Sequence, residues 1–169
     1  MKLKVYILVI SCFITAVSCK TTQKSSETRN AEYKDLQEMV EKRNFEIVND
    51  FANPSLGNSN INLLGNPNYI RFMKDSVEIN LPYFGYGNAG GSYGSEIGVN
   101  YKGLAKDLKI TEKPSKNRIL IEFKETQENE VLDLNITLFS NQDSNTLIYF
   151  SHRSTISYRG EVSKMNNKN

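Results

Sequence analysis

Few residues in this 169-residue chain could do chemistry. There is one histidine, His152, and there are two cysteines, Cys12 and Cys19. A hydrolase triad around His152 would need a nucleophile and an orienting acid, and no serine stands in an elbow-type motif. One histidine also falls short of the usual zinc ligand set. His152 therefore reads as a surface residue at a strand end. Glu125, Glu128 and Glu130 share one polar stretch with Lys124. They read as a solvated hairpin tip, because a cation site or glycosidase pair needs carboxylates that face a common ligand. Arg153 reads as a structural anchor that bonds loop carbonyls or pairs with an acid such as Glu96 or Asp133; ligand binding is its other reading. These residues call for no catalytic role, no metal and no cofactor.

The run from Leu81 to Gly94, LPYFGYGNAGGSYG, holds five of the ten glycines and three of the nine tyrosines. Gly85 to Gly90 spells G-x-G-x-x-G. A nucleotide-binding version needs a helix after the glycines, whose N-terminus holds the pyrophosphate. Here the strand-like Glu96-Ile97-Gly98-Val99-Asn100-Tyr101 follows, so that reading fails on context. A kinase-type glycine loop would need a catalytic Asp, metal ligands and a longer chain. Two readings remain. Either the glycines permit a wide connection whose aromatics tuck under the sheet edge, or Tyr83, Phe84, Tyr86 and Tyr93 are presented to a ligand or partner.

Cys19 carries the plainest chemistry. Lys2 and Lys4 precede a mostly apolar stretch, Val5 to Ser18. At 14 residues it is short for a membrane span, which needs ~20, and has the length of a secretory core segment. It ends in Ala16-Val17-Ser18-Cys19, which resembles the lipobox of bacterial lipoproteins. The thiol would accept a diacylglycerol, and the small Ser18 would admit the peptidase. Residues 1–18 are then a signal peptide and Cys19 the new N-terminus. Losing Lys2 and Lys4 leaves 19 basic residues against 19 acidic ones, so the mature chain is neutral. Such a surface has no long-range pull on nucleic acid or acidic lipid. Membrane attachment would rest on the acyl chains, each buried CH₂ contributing about 0.8 kcal/mol. Lys20 gives no inner-membrane retention signal, and no acidic run follows the cysteine. The expected place is the outer membrane, facing the periplasm.

The elements that position these residues follow from hydrophobic periodicity. Residues 19–29 are polar and read as a tether. In 30–43, Tyr33, Leu36, Met39 and Val40 recur at helical spacing, with Asn30 as N-cap and Lys42 and Arg43 in the last turn. From Phe45 the period changes to two. Phe45, Ile47 and Phe51 begin a strand. Ile70 and Phe72 return through Lys74-Asp75-Ser76 to Val77, Ile79 and Leu81. Ile97 to Tyr101, Ile119 to Phe123, Leu132 to Leu138, Thr146 to Ser151 and Ile156 to Val162 continue the pattern, with Asn141 to Ser144 as a turn. No helix separates strands, so parallel units are excluded. The expected fold is mainly β: one N-terminal helix packed on a curved antiparallel sheet or partly closed barrel of seven to eight strands. The domain spans 30–163, and 164–169 form a frayed tail.

Leu81-Pro82-Tyr83-Phe84-Gly85, taken with Ser151-x-Arg153-x-x-Ile156-Ser157-Tyr158-x-Gly160, resembles an uncharacterised lipoprotein family, domain of unknown function 4251, found mainly in Bacteroidota. The likeness covers roughly 30–163. It implies a small envelope lipoprotein and carries no catalytic role onto these positions. Where the family usually has Arg after the LPYFG run, this chain has Tyr86.

The leading expectation is a non-enzymatic, lipid-anchored module that binds an envelope protein. A barrel carrying a small apolar ligand comes second. An enzyme comes third, and a cluster of Arg153, a carboxylate and a tyrosine in one pocket would raise it.

Overall fold

The structure is a computed structural model that describes residues 26–57, 60–86, 98–127 and 129–165. Helix α1 (Ser26–Glu41) is followed by ten strands: β1 (Asn44–Pro54), β2 (Ile61–Asn62), β3 (Tyr69–Met73), β4 (Ser76–Leu81), β5 (Val99–Leu104), β6 (Lys106–Lys113), β7 (Arg118–Gln127), β8 (Glu130–Phe139), β9 (Asp143–Phe150) and β10 (Ile156–Lys164). All pairings are antiparallel, and the sheet order is β5-β4-β3-β1-β10-β9-β8-β7-β6, with β2 beside β1.

That order is chain order bent into a ring. The first and last full strands, β1 and β10, pair along nine registered positions. The sheet's two ends, β5 and β6, are separated by Ala105 alone. They are one through-going strand that pairs first with β4 and then with β7. The sheet is thus a nearly closed barrel of eight staves. The eight staves agree with the expected seven or eight strands; the described residues divide into ten because β2, of two residues, lies beside β1 and the polar β6 continues β5.

Inward residues follow the period of two. Ile119, Ile121 and Phe123 face Leu138, Ile136 and Leu134 across β7 and β8, and all six are buried. The rings of Phe45 and Phe72 stack at 4.7 Å between centroids, and Phe72 meets Phe123 edge-on at 5.8 Å. These rings come from β1, β3 and β7, so side chains fill the barrel across its width. In β1 the inward parity changes at a bulge between Asn49 and Phe51. Ala52 is therefore buried, and Phe51, expected inward, is only half-buried.

Helix α1 stacks Tyr33, Leu36, Met39 and Val40 against one end of the barrel, the face anticipated from sequence. It lies beside Phe139, Val162 and Lys164, and Gln37 donates to Glu112 at 2.6 Å. The helix begins at Ser26, inside the segment read as tether, so Asn30 is one turn into it rather than its cap. The polar residues of that first turn carry no periodic signal. Lys42 and Arg43 fall beyond Glu41, and Arg43 turns the chain with φ 45°. Among the described residues, no helix is long and apolar enough to cross a membrane.

Candidate functional site

The barrel end opposite α1 gathers the residues singled out above. Leu81 is the last inward residue of β4, which aims Pro82 to Tyr86 at the segment joining β9 to β10. The Tyr158 hydroxyl, fully buried on β10, donates to the Pro82 carbonyl at 2.8 Å. Tyr83 is buried and turns its hydroxyl inward, donating to the Ser154 carbonyl at 2.8 Å, with the Ser154 Oγ at 2.9 Å. The Ser154 amide donates to the Tyr86 carbonyl at 2.9 Å, and the Tyr86 amide donates to Ser154 Oγ at 3.0 Å. Gly85 lies against this knot. A Cβ there would collide with the Tyr83 ring and hydroxyl. Burial raises the hydroxyl pKa of both Tyr83 and Tyr158.

Arg153 sits on the same cluster. Its guanidinium lies 4.5 Å from the Tyr83 ring centre and 4.3 Å from that of Phe150, which themselves meet edge-on at 5.2 Å. Its Nε donates to Glu130 Oε2 at 2.7 Å. The acid is Glu130, not the expected Asp133, whose carboxylate is 3.6 Å from Lys124; Glu96 lies outside the described residues. Glu130 Oε1 accepts the His152 amide at 3.2 Å. Both side chains of the Arg153–Glu130 pair are largely buried, at 11% and 14% exposure. A pair this sheltered, stacked on two rings, is held by more than solvent-screened attraction.

The solvated hairpin tip expected for the glutamates is therefore corrected for Glu125 and Glu130; Glu128 lies outside the described residues. Glu130 is bound into the arginine cluster. Glu125 is buried on the inner face of β7, and its Oε1 accepts the Lys106 amide at 3.0 Å. Its neighbour Gln127 accepts the Asn100 amide at 3.1 Å and donates to the Gly98 carbonyl at 3.3 Å. Two side chains of β7 thus satisfy backbone groups of the through-going strand, Gln127 at the start of β5 and Glu125 where β5 passes into β6. The sequence carried no signal for this, because it depends on which strands meet at the closure.

His152 is exposed as expected, with its Nδ1 3.0 Å from Ser151 Oγ. The carboxylate here does not complete a triad: Glu130 accepts from the His152 backbone amide and pairs with Arg153 rather than orienting the ring. Among the described residues, no group of three or more His, Cys, Asp or Glu is placed to hold a metal ion. Phe84 is half-buried against the core and Tyr86 is 43% exposed. Cys19 and Tyr93 lie outside the described residues.

A family model described as Domain of unknown function (DUF4251) matches residues 27–162, nearly the whole folded span. The chain belongs to this family. A DUF4251 family protein from Bacteroides eggerthii, solved as a crystal structure, has the same fold: TM-score 0.58 at 14% identity, covering 80% of this chain and 89% of that one. A comparison with curated proteins found no match. In this DUF4251 chain, the two stretches that carried the resemblance are brought into direct contact through Tyr158 and Pro82, Arg153 and Tyr83, and Ser154 and Tyr83, with the adjoining Tyr86 also bonded to Ser154. The hydroxyls of Tyr83, Ser154 and Tyr158 bond across from one stretch to the other, which is the chemistry of a clamp between two loops.

Proposed function

We propose that this protein is a non-enzymatic interaction module, lipid-anchored through Cys19 to the outer membrane and facing the periplasm. The observation that carries the reading is the difference between the two barrel ends. One end is covered by α1, whose first described residue, Ser26, is seven positions from Cys19 and so within about 25 Å of chain reach from the anchor. The other end exposes Leu56, Tyr86 and Val131 around the clamped Ser151–Thr155 segment. Backbone bonds tie Tyr86, Val131 and the neighbour of Leu56 to that segment: Ser154 amide to Tyr86 carbonyl, Ser151 amide to Val131 carbonyl, and Ser55 amide to Thr155 carbonyl. Apolar side chains held on a rigid frame lose little entropy on binding, which suits a partner surface.

The other expectations have less support. The rings that meet across the barrel weigh against an apolar-ligand carrier. The anticipated trio of an arginine, a carboxylate and a tyrosine does form, but the atoms of Tyr83 and Glu130 that would move protons are engaged with Ser154, His152 and Arg153. A group already holding its partners is poorly placed for acid–base work.

Two experiments test the reading. In cells, a photo-crosslinking residue at position 86 should trap a discrete partner band, while the same probe at position 116, at the helix end, should not. Equal trapping from both positions, or none from 86, would reject this end as the interaction surface. Cys19→Ala should move the protein from the membrane to the soluble fraction; unchanged fractionation would reject lipidation as the attachment. Tyr83 is unsuited to such tests, because its loss would disturb the clamp itself.

A further inference from the structure

Among the described residues, several buried polar side-chain atoms have no partner within the protein, and three of them lie on the inner face, on the strands that flank β10: Asn49 Oδ1 on β1, and Ser144 Oγ and Thr146 Oγ1 on β9. Register brings them together. Asn49 on β1 is opposite Gly160 on β10, and Gly160 is opposite Ser144 on β9. Thr146 is two residues along β9 on the same face. Gly160 adds no side chain to the row. A Cβ there would run into the Val48 carbonyl and the Asn49 Cα, so the bulge in β1 presses over the bare glycine and carries Asn49 toward Ser144.

The direction of the Asn49 amide is fixed by its other neighbours. Asn68 Oδ1 accepts the Asn49 amide at 2.8 Å and Asn49 Nδ2 at 3.1 Å. Asn68 Nδ2 donates to the Asn49 carbonyl at 2.9 Å. Asn68 immediately precedes β3, which borders β1 on the side away from β10. With its nitrogen committed to that side, the Asn49 side chain leaves Oδ1 for the β10 side. An acceptor and two hydroxyls thus form one buried polar patch that spans β1 and β9 across β10. A buried polar group left unsatisfied destabilises the fold, and such sites are met by buried water that makes two to four hydrogen bonds.

We propose that this patch is a specific binding site for a buried water, which donates to Asn49 Oδ1 and bridges the hydroxyls of Ser144 and Thr146. The water completes the barrel where the β1 bulge breaks the ladder, and it joins the first stave to β9 across β10.

A crystal structure of the protein at high resolution tests this directly. An ordered water within hydrogen-bond distance of Asn49 Oδ1 and at least one of the two hydroxyls is expected. A dry patch, or a direct Ser144–Asn49 hydrogen bond, overturns the proposal. Thr146→Val gives an independent reading, because valine matches the shape of threonine without its hydroxyl. With the water in place the variant should melt a few degrees lower. A higher melting temperature would mean that an orphan hydroxyl had been removed, and would overturn it. Oxygen-17 relaxation dispersion on the full-length wild type should also detect a long-lived internal water that is lost in Ser144→Ala/Thr146→Val; the same number of such waters in both would count against the site.

Discussion

At the scale of single residues, contact geometry explains why certain positions hold the residue they do. Gly160 has no space for a side chain because the bulged β1 backbone lies on it. Gly160→Ala should therefore lower stability by about 1–3 kcal/mol in urea unfolding, the cost of overpacking a tight site; a change below about 0.5 kcal/mol, the range of an indifferent surface site, would mean that the bulge is free to move. Tyr101 makes a prediction about pH. Burial, with the Glu125 carboxylate beside it, pushes its hydroxyl from 10.0 up to about 12. The folded chain holds that proton more tightly than the unfolded chain does. The resulting stability is complete below pH 10 and is lost as pH rises through about 12. Burial moves Tyr83 and Tyr158 in the same direction. Tyr101→Phe should make the decline in melting temperature between pH 10 and 12 shallower without abolishing it. An unchanged slope would mean that Tyr101 titrates alike in both states.

At the scale of elements, the informative piece is the run from Val99 to Lys113. A strand that changes partners halfway leaves backbone groups near the crossing without a ladder. Glu125 meets the Lys106 amide there, Gln127 meets the Asn100 amide nearer the start of β5, and Asp107, at φ 52°, bends the edge just after the change. Gln127→Ala should remove about 1 kcal/mol at the Asn100 amide and so speed its hydrogen exchange about fivefold, with little effect on amides in the β1–β10 ladder. Uniform acceleration over the whole barrel would instead mark a global loss. The elements differed in how far sequence foretold them. The β7–β8 hairpin was legible because buried and exposed residues alternate without a break. The β6 strand was not, because an edge guarded by Lys106, Lys109 and Lys113 shows solvent most of its side chains. Such charges also keep a strand edge from pairing with other chains. The turn after β8 lies at Ser140 to Gln142, earlier than the turn residues suggested. Ser144 is a buried strand residue, polar in type but placed inside by the pairing with β10.

At the scale of the whole molecule, the barrel depends on joining its two chain ends. β1 receives its second neighbour only when β10, more than a hundred residues later, has arrived. A closure this non-local costs loop entropy before it returns any contact energy, which slows folding. Deleting residues 156–169 would leave β1 and β9 with open edges and remove Ile156, Tyr158 and Val162 from the core. That truncation should show no cooperative thermal transition by circular dichroism; a sharp transition would mean that the remaining staves form a stable sheet alone.

The residues of the clamp divide along the same line. That Tyr83 and Arg153 mattered could be read locally, from an aromatic run beside glycines and an arginine at a strand end. That they stack on each other, that Glu130 is the arginine's acid, and that Glu125 is buried at the closure are facts about positions far apart in the chain. Linear sequence determined the period of the strands, the apolar face of the helix and the antiparallel class, since each depends on neighbours within a few residues. Tertiary structure alone decided the ring, the partner of each charge and the contrast between the two barrel ends, because hydrogen bonds and burial are settled by which strands come to lie side by side.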